Sequence, residues 1–225
     1  MERSDRPTAA PAGEENAMAG YTGQTRAALT RARVVRNAAA EFALRGYDGT
    51  SLSGVCKAAG VTMGALTFHF PSKESLAQGV CTAGIETTQA VVDKADRQGQ
   101  SPLQTVGDIA GALAALLDDE DMARAAARLS RERPSLRRDW RDSWLPLVRA
   151  RLHQAAALDQ LRPGTRPESA ALLLGSLLAG IEACLLHPLG ATALPGLTAR
   201  EHLTELWQTA LRGIGASQDG PASTA

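Results

Sequence analysis

The stretch from Thr50 to Phe70, TSLSGVCKAAGVTMGALTFHF, limits what this 225-residue chain can fold into more than any other. Leu52, Val55, Ala58 and Ala59 fall on one helical face, and Thr50 or Ser51 supplies a side-chain oxygen to cap the first free backbone N–H groups. Gly60 follows the last apolar position, where a residue free to take positive φ ends one helix and redirects the chain. Val61 fills the corner, Thr62 stands where a second N-cap is needed, and a second helix runs from Met63 until Pro71 stops it. Two short helices joined by a glycine turn form a helix-turn-helix, and Gly64 and Ala65 let the second helix bring its backbone close to a phosphate or a base edge.

The pattern extends on both sides. Upstream, Val35, Ala38 and Phe42 share a face of a helix over residues 31 to 45, with Thr30 as its N-cap and Gly46 as its stop. Phe42, Tyr47, Val55, Leu66 and Phe70 are the predicted core of the resulting three-helix head. Downstream come Phe68-His69-Phe70-x-x-Lys73-Glu74-x-Leu76, with Ser72 capping a fourth helix that runs to about Arg97. From residue 30 to 77 this arrangement resembles the DNA-binding domain of the TetR family of bacterial transcriptional repressors. Within that family, ALTFHFPSKESLAQGV and the later Trp144 are similar to the γ-butyrolactone receptors and pseudo-receptors of actinomycetes.

The resemblance implies a DNA-contacting set of Thr30, Arg31, Thr50, Ser51, Thr62, Met63, Gly64, Ala65, Thr67, Phe68, His69 and Lys73. Thr62 is an N-cap on local grounds alone; in the family a residue here also donates to a phosphate, and the positive helix end strengthens that contact. Met63 departs from the Lys or Arg that relatives often carry, which leaves apolar contact with a thymine methyl. Thr67 departs from the usual phosphate-touching Tyr. Lys73 reads either as a solvated lysine or as a phosphate clamp, and His69 as a packing or phosphate-adjacent residue rather than a metal ligand. Trp144 matches the tryptophan that lies over the ligand in the butyrolactone receptors, with Trp140 as a second pocket candidate. Its plainer reading is a core anchor.

The charge is distributed to suit this. The chain is neutral overall, yet Tyr21 to Val80 holds seven basic residues against three acids. A basic reading head on a neutral to acidic body is what counterion release at phosphates favours. The arginines from Arg124 to Arg141 alternate with Glu132 and Asp139 after a run of four acids, and read as an ion-paired surface instead. Three widely spaced cysteines make neither a disulfide framework nor a metal site and suit a reducing cytoplasm.

Residues 1 to 24 lack an apolar period and read as a disordered arm, within which Met18 offers a second candidate start. Beyond the fourth helix, Leu103, Val106, Ile109, Leu113, Leu116 and Leu117 keep a helical period, and the acids Asp118 to Asp121 separate that helix from one over 122 to 131. Further helices are expected from about Ser143, over 168 to 186 and from Thr198 to about Ile214, with loops around Pro188 to Gly196 and a polar tail from Gly215. The helix over 168 to 186 carries a stripe of Gly175, Ser176, Ala179, Gly180 and Ala183, and Glu182 argues against a membrane span.

The expectation is an all-α chain of about nine helices. Its parts are an arm (1–24), a helix-turn-helix DNA-binding domain (25–77), a ligand-binding and dimerisation body (78–215) and a tail (216–225). Its partners are double-stranded operator DNA read as an inverted repeat, a lactone-like or antibiotic-like small-molecule inducer and a second copy of itself, with no cofactor, metal or membrane. No nucleophile–base pair, paired-carboxylate helix or phosphate loop stands at catalytic spacing, so an enzyme is not expected. The alternative is a ligand-sequestering protein whose head is weakened by Met63 and Thr67.

Overall fold

The structure, a computed structural model, describes residues 12–97, 101–186 and 198–215. Among them are nine α-helices: α1 (Ala12–Gly49), α2 (Leu52–Ala59), α3 (Met63–His69), α4 (Lys73–Asp96), α5 (Pro102–Asp119), α6 (Asp121–Glu132), α7 (Leu145–Ala157), α8 (Pro167–Leu186) and α9 (Ala199–Ile214). A 3₁₀ turn, Trp140–Ser143, leads into α7. The β contact among the described residues is an isolated antiparallel bridge between Leu161 and Gly215, which ties the end of α9 to the α7–α8 loop.

Local chemistry accounts for the helix boundaries. Ser51, not Thr50, caps α2 by accepting from the Gly54 N–H; Gly60 ends it with φ 61° and ψ 42°, a left-handed pair that a side chain disfavours. Thr62 caps α3 through the Ala65 N–H, and Ser72 and Ser75 form a reciprocal capping box at α4. Pro102 opens α5 rather than lying in the preceding turn, because Ser101 provides the cap and a proline at the first helical position loses no needed N–H. The acidic run behaves as expected, since Glu120 stands between α5 and α6.

The first helix breaks at Gly46, with φ 70° and ψ −176°, where its stop was expected, but its start corrects the sequence reading. It begins by Ala12, so Thr30 lies in its interior, where the hydroxyl donates to the Arg26 carbonyl at 3.0 Å instead of capping anything. Part of the stretch expected to be a disordered arm is therefore helical, and residues 1–11 fall outside the described residues. Alanine-rich sequence with no proline between Ala12 and Gly46 leaves nothing to stop a helix from extending backwards. The loop around Pro188 to Gly196 and the tail after Gly215 also lie outside the described residues.

Two apolar cores form, and α6 contributes to both. The head core gathers Val34, Ala38, Phe42, Val55, Leu66, Phe70 and Leu76, with Tyr47 packed at its edge, and takes in Ala125 and Leu129 of α6. The body core is built on Ile85, Ile109, Leu113, Trp144, Leu152, Leu174 and Leu178 and takes in Ala126 and Ala127 of the same helix. Alanines make α6 thin enough to serve both sides. Against it lies α4, which at Gly84 comes so close that an added Cβ would stand 2.5 Å from Ala126 Cβ and 2.5 Å from the Met122 carbonyl oxygen.

A methyl group there has nowhere to go without spreading two helices. Gly84→Ala is expected to cost about 1–3 kcal/mol through overpacking, despite alanine's higher helix propensity, and urea unfolding of the two proteins measures the difference.

Candidate nucleic-acid interface and ligand pocket

α3 leaves the head with one side seated and the rest open. Leu66 is fully buried against α1 and α2, whereas Phe68 is 80% exposed and Met63 43%. Thr62, Gly64 and Thr67 are exposed, Ala65 is half-buried, and half-buried His69 meets Phe68 edge-on at 5.2 Å. The Thr67 hydroxyl is directed back onto its own helix, donating to the carbonyls of Met63 (2.9 Å) and Gly64 (3.2 Å). The outward surface of α3 is therefore apolar, without a charged reader.

Cations flank it. The Arg31 guanidinium lies 5.0 Å from the centre of the Phe70 ring, and the Lys73 ammonium lies 4.5 Å from that of Tyr47 and 3.5 Å from the Asp48 carbonyl. Ser51 is exposed beside them. Thr50 is not: it is 2% exposed and its hydroxyl donates to the Gly46 carbonyl at 2.8 Å. That contact and the mid-helix position of Thr30 remove both hydroxyls from the expected DNA-facing set, because each already donates to its own backbone.

A clasp from α6 holds the end of the first helix. Arg128 donates to the carbonyls of Ala43 and Leu44 at 3.0 Å each and pairs with Glu132 at 2.6 Å, while Glu132 accepts the Tyr47 N–H at 2.6 Å. Arg133 adds its guanidinium 4.5 Å from the Tyr47 ring centre. Most of the arginine run is indeed ion-paired, with Arg124 on Asp121 and Arg141 on Asp139. What the sequence did not show is that Arg128 and Glu132 join head to body.

In the body, Trp140 and Trp144 stand at the wall of one cavity of about 170 Å³, their rings in edge contact at 5.8 Å. Both are buried, so the plainer reading of Trp144 as a core anchor also holds. Ala127, Ser130, Gly175, Leu178 and Ala179 line it as well, together with two ion pairs, Arg131–Glu182 and Arg141–Asp139. Trp140 is wired to α4: its Nε1–H donates to Thr88 Oγ1 at 2.9 Å, and Thr88 donates to the Gly84 carbonyl at 2.7 Å. Trp144 Nε1 and Glu182 Oε1, by contrast, are buried with no hydrogen-bond partner. A larger depression of about 840 Å³ runs over α5 between α4 and α9 and touches neither Trp140 nor Trp144.

Glu182 and Arg131 line this cavity and Thr88 holds one of its tryptophans; the sequence reading assigned none of the three such a place. A lone acid in an apolar helix was the available signal, and it served only to argue against a membrane span. α8 is long and apolar enough to cross a bilayer, but Ala170, Leu174, Leu178 and Ile181 pack into the body core. Elsewhere Cys56 and Cys81 are buried free thiols and Cys184 an exposed one, and burial together with nearby Asp139 pushes the Cys81 thiol up to about 12.

A capped helix presented by a small helical head above a pocketed helical body defines a DNA-binding regulator of the helix-turn-helix class. Residues 34–80 match the family described as bacterial regulatory proteins, tetR family. The A-factor receptor protein of Streptomyces griseus is 31% identical over 193 residues, 85% of this chain and 66% of its own length, so the chain spans just under two thirds of that relative. Among solved structures, one described as the molecular basis for control of antibiotic production by bacterial hormones is 32% identical, covers 83% of this chain and 98% of its own, and has a TM-score of 0.65. A γ-butyrolactone receptor (ArpA-like protein) is 28% identical with 85% and 90% covered and a TM-score of 0.67. CprB of Streptomyces coelicolor, in complex with its operator sequence, is 26% identical with 84% and 91% covered and a TM-score of 0.67. The chain belongs to the TetR family of transcriptional regulators and is related to its γ-butyrolactone receptors.

Burial pushes the Glu182 carboxyl up, against the opposing pull of Arg131 and Arg128. A carboxyl raised in the folded state costs stability when ionised, and the folded protein recovers that stability as pH falls towards the ordinary glutamate value of 4.5. Glu182→Gln removes this dependence. The stability of the variant relative to the parent is expected to rise with pH from 4.5 upwards, measured as the difference in Tm across a pH series.

Proposed function

We propose that the protein is a transcriptional repressor that binds an inverted-repeat operator as a homodimer and is released by a small molecule. The observation that carries this reading is α3, capped by Thr62 and open to solvent at Met63 and Phe68. Residues 25–77 serve as the reading head and 78–215 as the ligand-binding and dimerisation body. In place of hydrogen bonds to guanine, Met63 and Phe68 offer apolar contact to thymine methyl groups. Arg31, Ser51 and Lys73 position the head on phosphates, as does Thr62 with the N-terminal dipole of α3 behind it.

The second copy docks on α8 and α9. Leu172 is 72% exposed and Leu206 42%, and Ser176, Ala179, Gly180 and Ala183 form an open small-residue stripe between exposed leucines. Pairing these faces in a four-helix interface covers them and sets two reading helices roughly 34 Å apart, in successive major grooves. The relatives' descriptions as hormone and butyrolactone receptors support a lactone-like or antibiotic-like inducer, and genes for antibiotic or other secondary-metabolite production as targets. Such a protein works in the cytoplasm and carries out no catalysis.

The inducer acts through α4. A cavity of about 170 Å³ holds one small ring and is below the ~300 Å³ at which drug-sized sites begin, so a larger ligand must move a wall. Trp140 is the wall fastened to α4 through Thr88. Its displacement tilts α4 and the head with it, at a coupling of about 1–3 kcal/mol.

Gel shifts with the chain's own promoter region test the reading: a repressor gives a salt-sensitive, ligand-reversible shift, and a protein that only sequesters ligand gives none. The second role is favoured by the self-satisfied Thr67 hydroxyl and the uncharged Met63. Thr67→Tyr, which restores a reach to the phosphate, is expected to tighten operator binding several-fold, and weaker binding would contradict the assignment of α3. Trp140→Phe keeps a ring in the wall and loses the Thr88 hydrogen bond. It is expected to bind inducer within a few-fold of the parent, by calorimetry, while needing more inducer to release DNA in the gel shift.

A further inference from the structure

The run of arginines between Arg124 and Arg141 divides in two by partner. Arg124, Arg128, Arg131 and Arg141 are each ion-paired. Arg133, Arg137 and Arg138 enter no ion pair among the described residues. All three lie in the short segment 133–138 between α6 and the 3₁₀ turn, and Arg137 and Arg138 are exposed. Unpaired like charges this close in the chain repel one another, so their gathering contributes nothing to the fold itself.

By sequence the segment belongs to the body, but by contact it is fixed to the head. Leu136 is buried in the head core. The Leu136 N–H donates to the Arg133 carbonyl at 3.0 Å, closing a turn, and the Arg137 N–H donates to Gln78 Oε1 of α4 at 3.0 Å. Gln78 stands only about 7.5 Å of helix rise beyond Lys73. Tyr47 joins the two sets of charges. The Lys73 ammonium and the Arg133 guanidinium each lie 4.5 Å from its ring centre, so they stand no more than twice that distance apart. Arg133, Arg137 and Arg138 therefore continue the positive charge of Lys73 from the head onto the flank of the body.

The neighbouring acids leave this charge largely uncancelled. Asp139 is held by Arg141 and Glu132 by Arg128, and Asp142 accepts the Asp139 N–H at the 3₁₀ turn. Glu74, exposed and one helical turn before Gln78, forms no ion pair among the described residues and is the competing partner for these arginines.

Resting on the DNA-binding reading above, we propose that residues 133–138 are a second contact of this chain with duplex DNA. Arg137 and Arg138, connected to Lys73 through Arg133, neutralise backbone phosphates beside those held by the head. Such a contact reads no bases; it adds affinity and salt dependence, and it supplies cations that α3 itself lacks. The partner is a phosphate backbone because the charges extend a surface already assigned to one.

Binding of the full chain to its own promoter region, measured by fluorescence anisotropy over a salt series, tests this. Arg137→Ala/Arg138→Ala should flatten the slope of log Kd against log salt by about two units or more, since each phosphate contact contributes about 0.9 and a dimer carries the pair twice. Arg137→Lys/Arg138→Lys keeps the charges and should keep the slope to within about half a unit. Arg149→Ala/Arg166→Ala removes the same charge from α7 and from the loop before α8, and should leave the slope of the parent. The inference is overturned if the alanine pair keeps the parent's slope, if the lysine pair loses it, or if the control pair flattens it equally. An alanine pair that lowers Tm with the slope unchanged assigns the arginines to Glu74 and overturns it as well. Each of these results leaves the repressor reading standing. A parent that shows no salt-sensitive binding to the promoter region defeats that reading, and this inference with it.

Discussion

The contact that the molecule depends on is the one between α4 and α6 at Gly84, where the side-chain-free backbone of α4 lies directly against the Ala126 methyl and the Met122 carbonyl. Packed interiors do not deform continuously, so two helices held this close move together or not at all. Because α4 begins in the head and ends in the body, and α6 is shared by both cores, their contact joins the two parts of the molecule. The clasp of Arg128 and Glu132 on the end of the first helix adds a second, polar tie between α6 and the head.

The pocket sits where this linkage is accessible. Trp140 lies on the short turn after α6 and donates to Thr88, one turn along α4 from Gly84, so the wall of the cavity and the tightest helix contact are joined by two hydrogen bonds. A small cavity is useful here. One that already fitted its ligand would bind without consequence, since only a difference in affinity between two arrangements can shift the balance between them. Trp140 is the part of the cavity wall that is fastened to α4.

The reading head makes a different compromise. Its helices are well capped and its core well filled, yet the side of α3 left for DNA presents a methionine, a glycine, a self-bonded threonine and a phenylalanine. A surface of this kind carries no hydrogen-bonding reader for guanine, so what it offers a duplex is shape and apolar contact.

What the sequence determined by itself was decided within a few residues: the caps at Thr62 and Ser72, the choice of Thr50 or Ser51 ahead of α2, the left-handed Gly60, and the apolar periods that placed Phe42, Val55, Leu66 and Phe70 in one core. Each rests on backbone hydrogen bonds and side-chain direction that neighbouring residues impose. It misjudged Thr30 and Thr50, whose hydroxyls have more than one local partner available. The clasp, the Trp140–Thr88 link and the Arg131–Glu182 pair join residues 85, 52 and 51 positions apart. No period in a chain announces which distant polar groups will meet, since that is settled only when packed helices fix their mutual rotation; tertiary structure alone chose them.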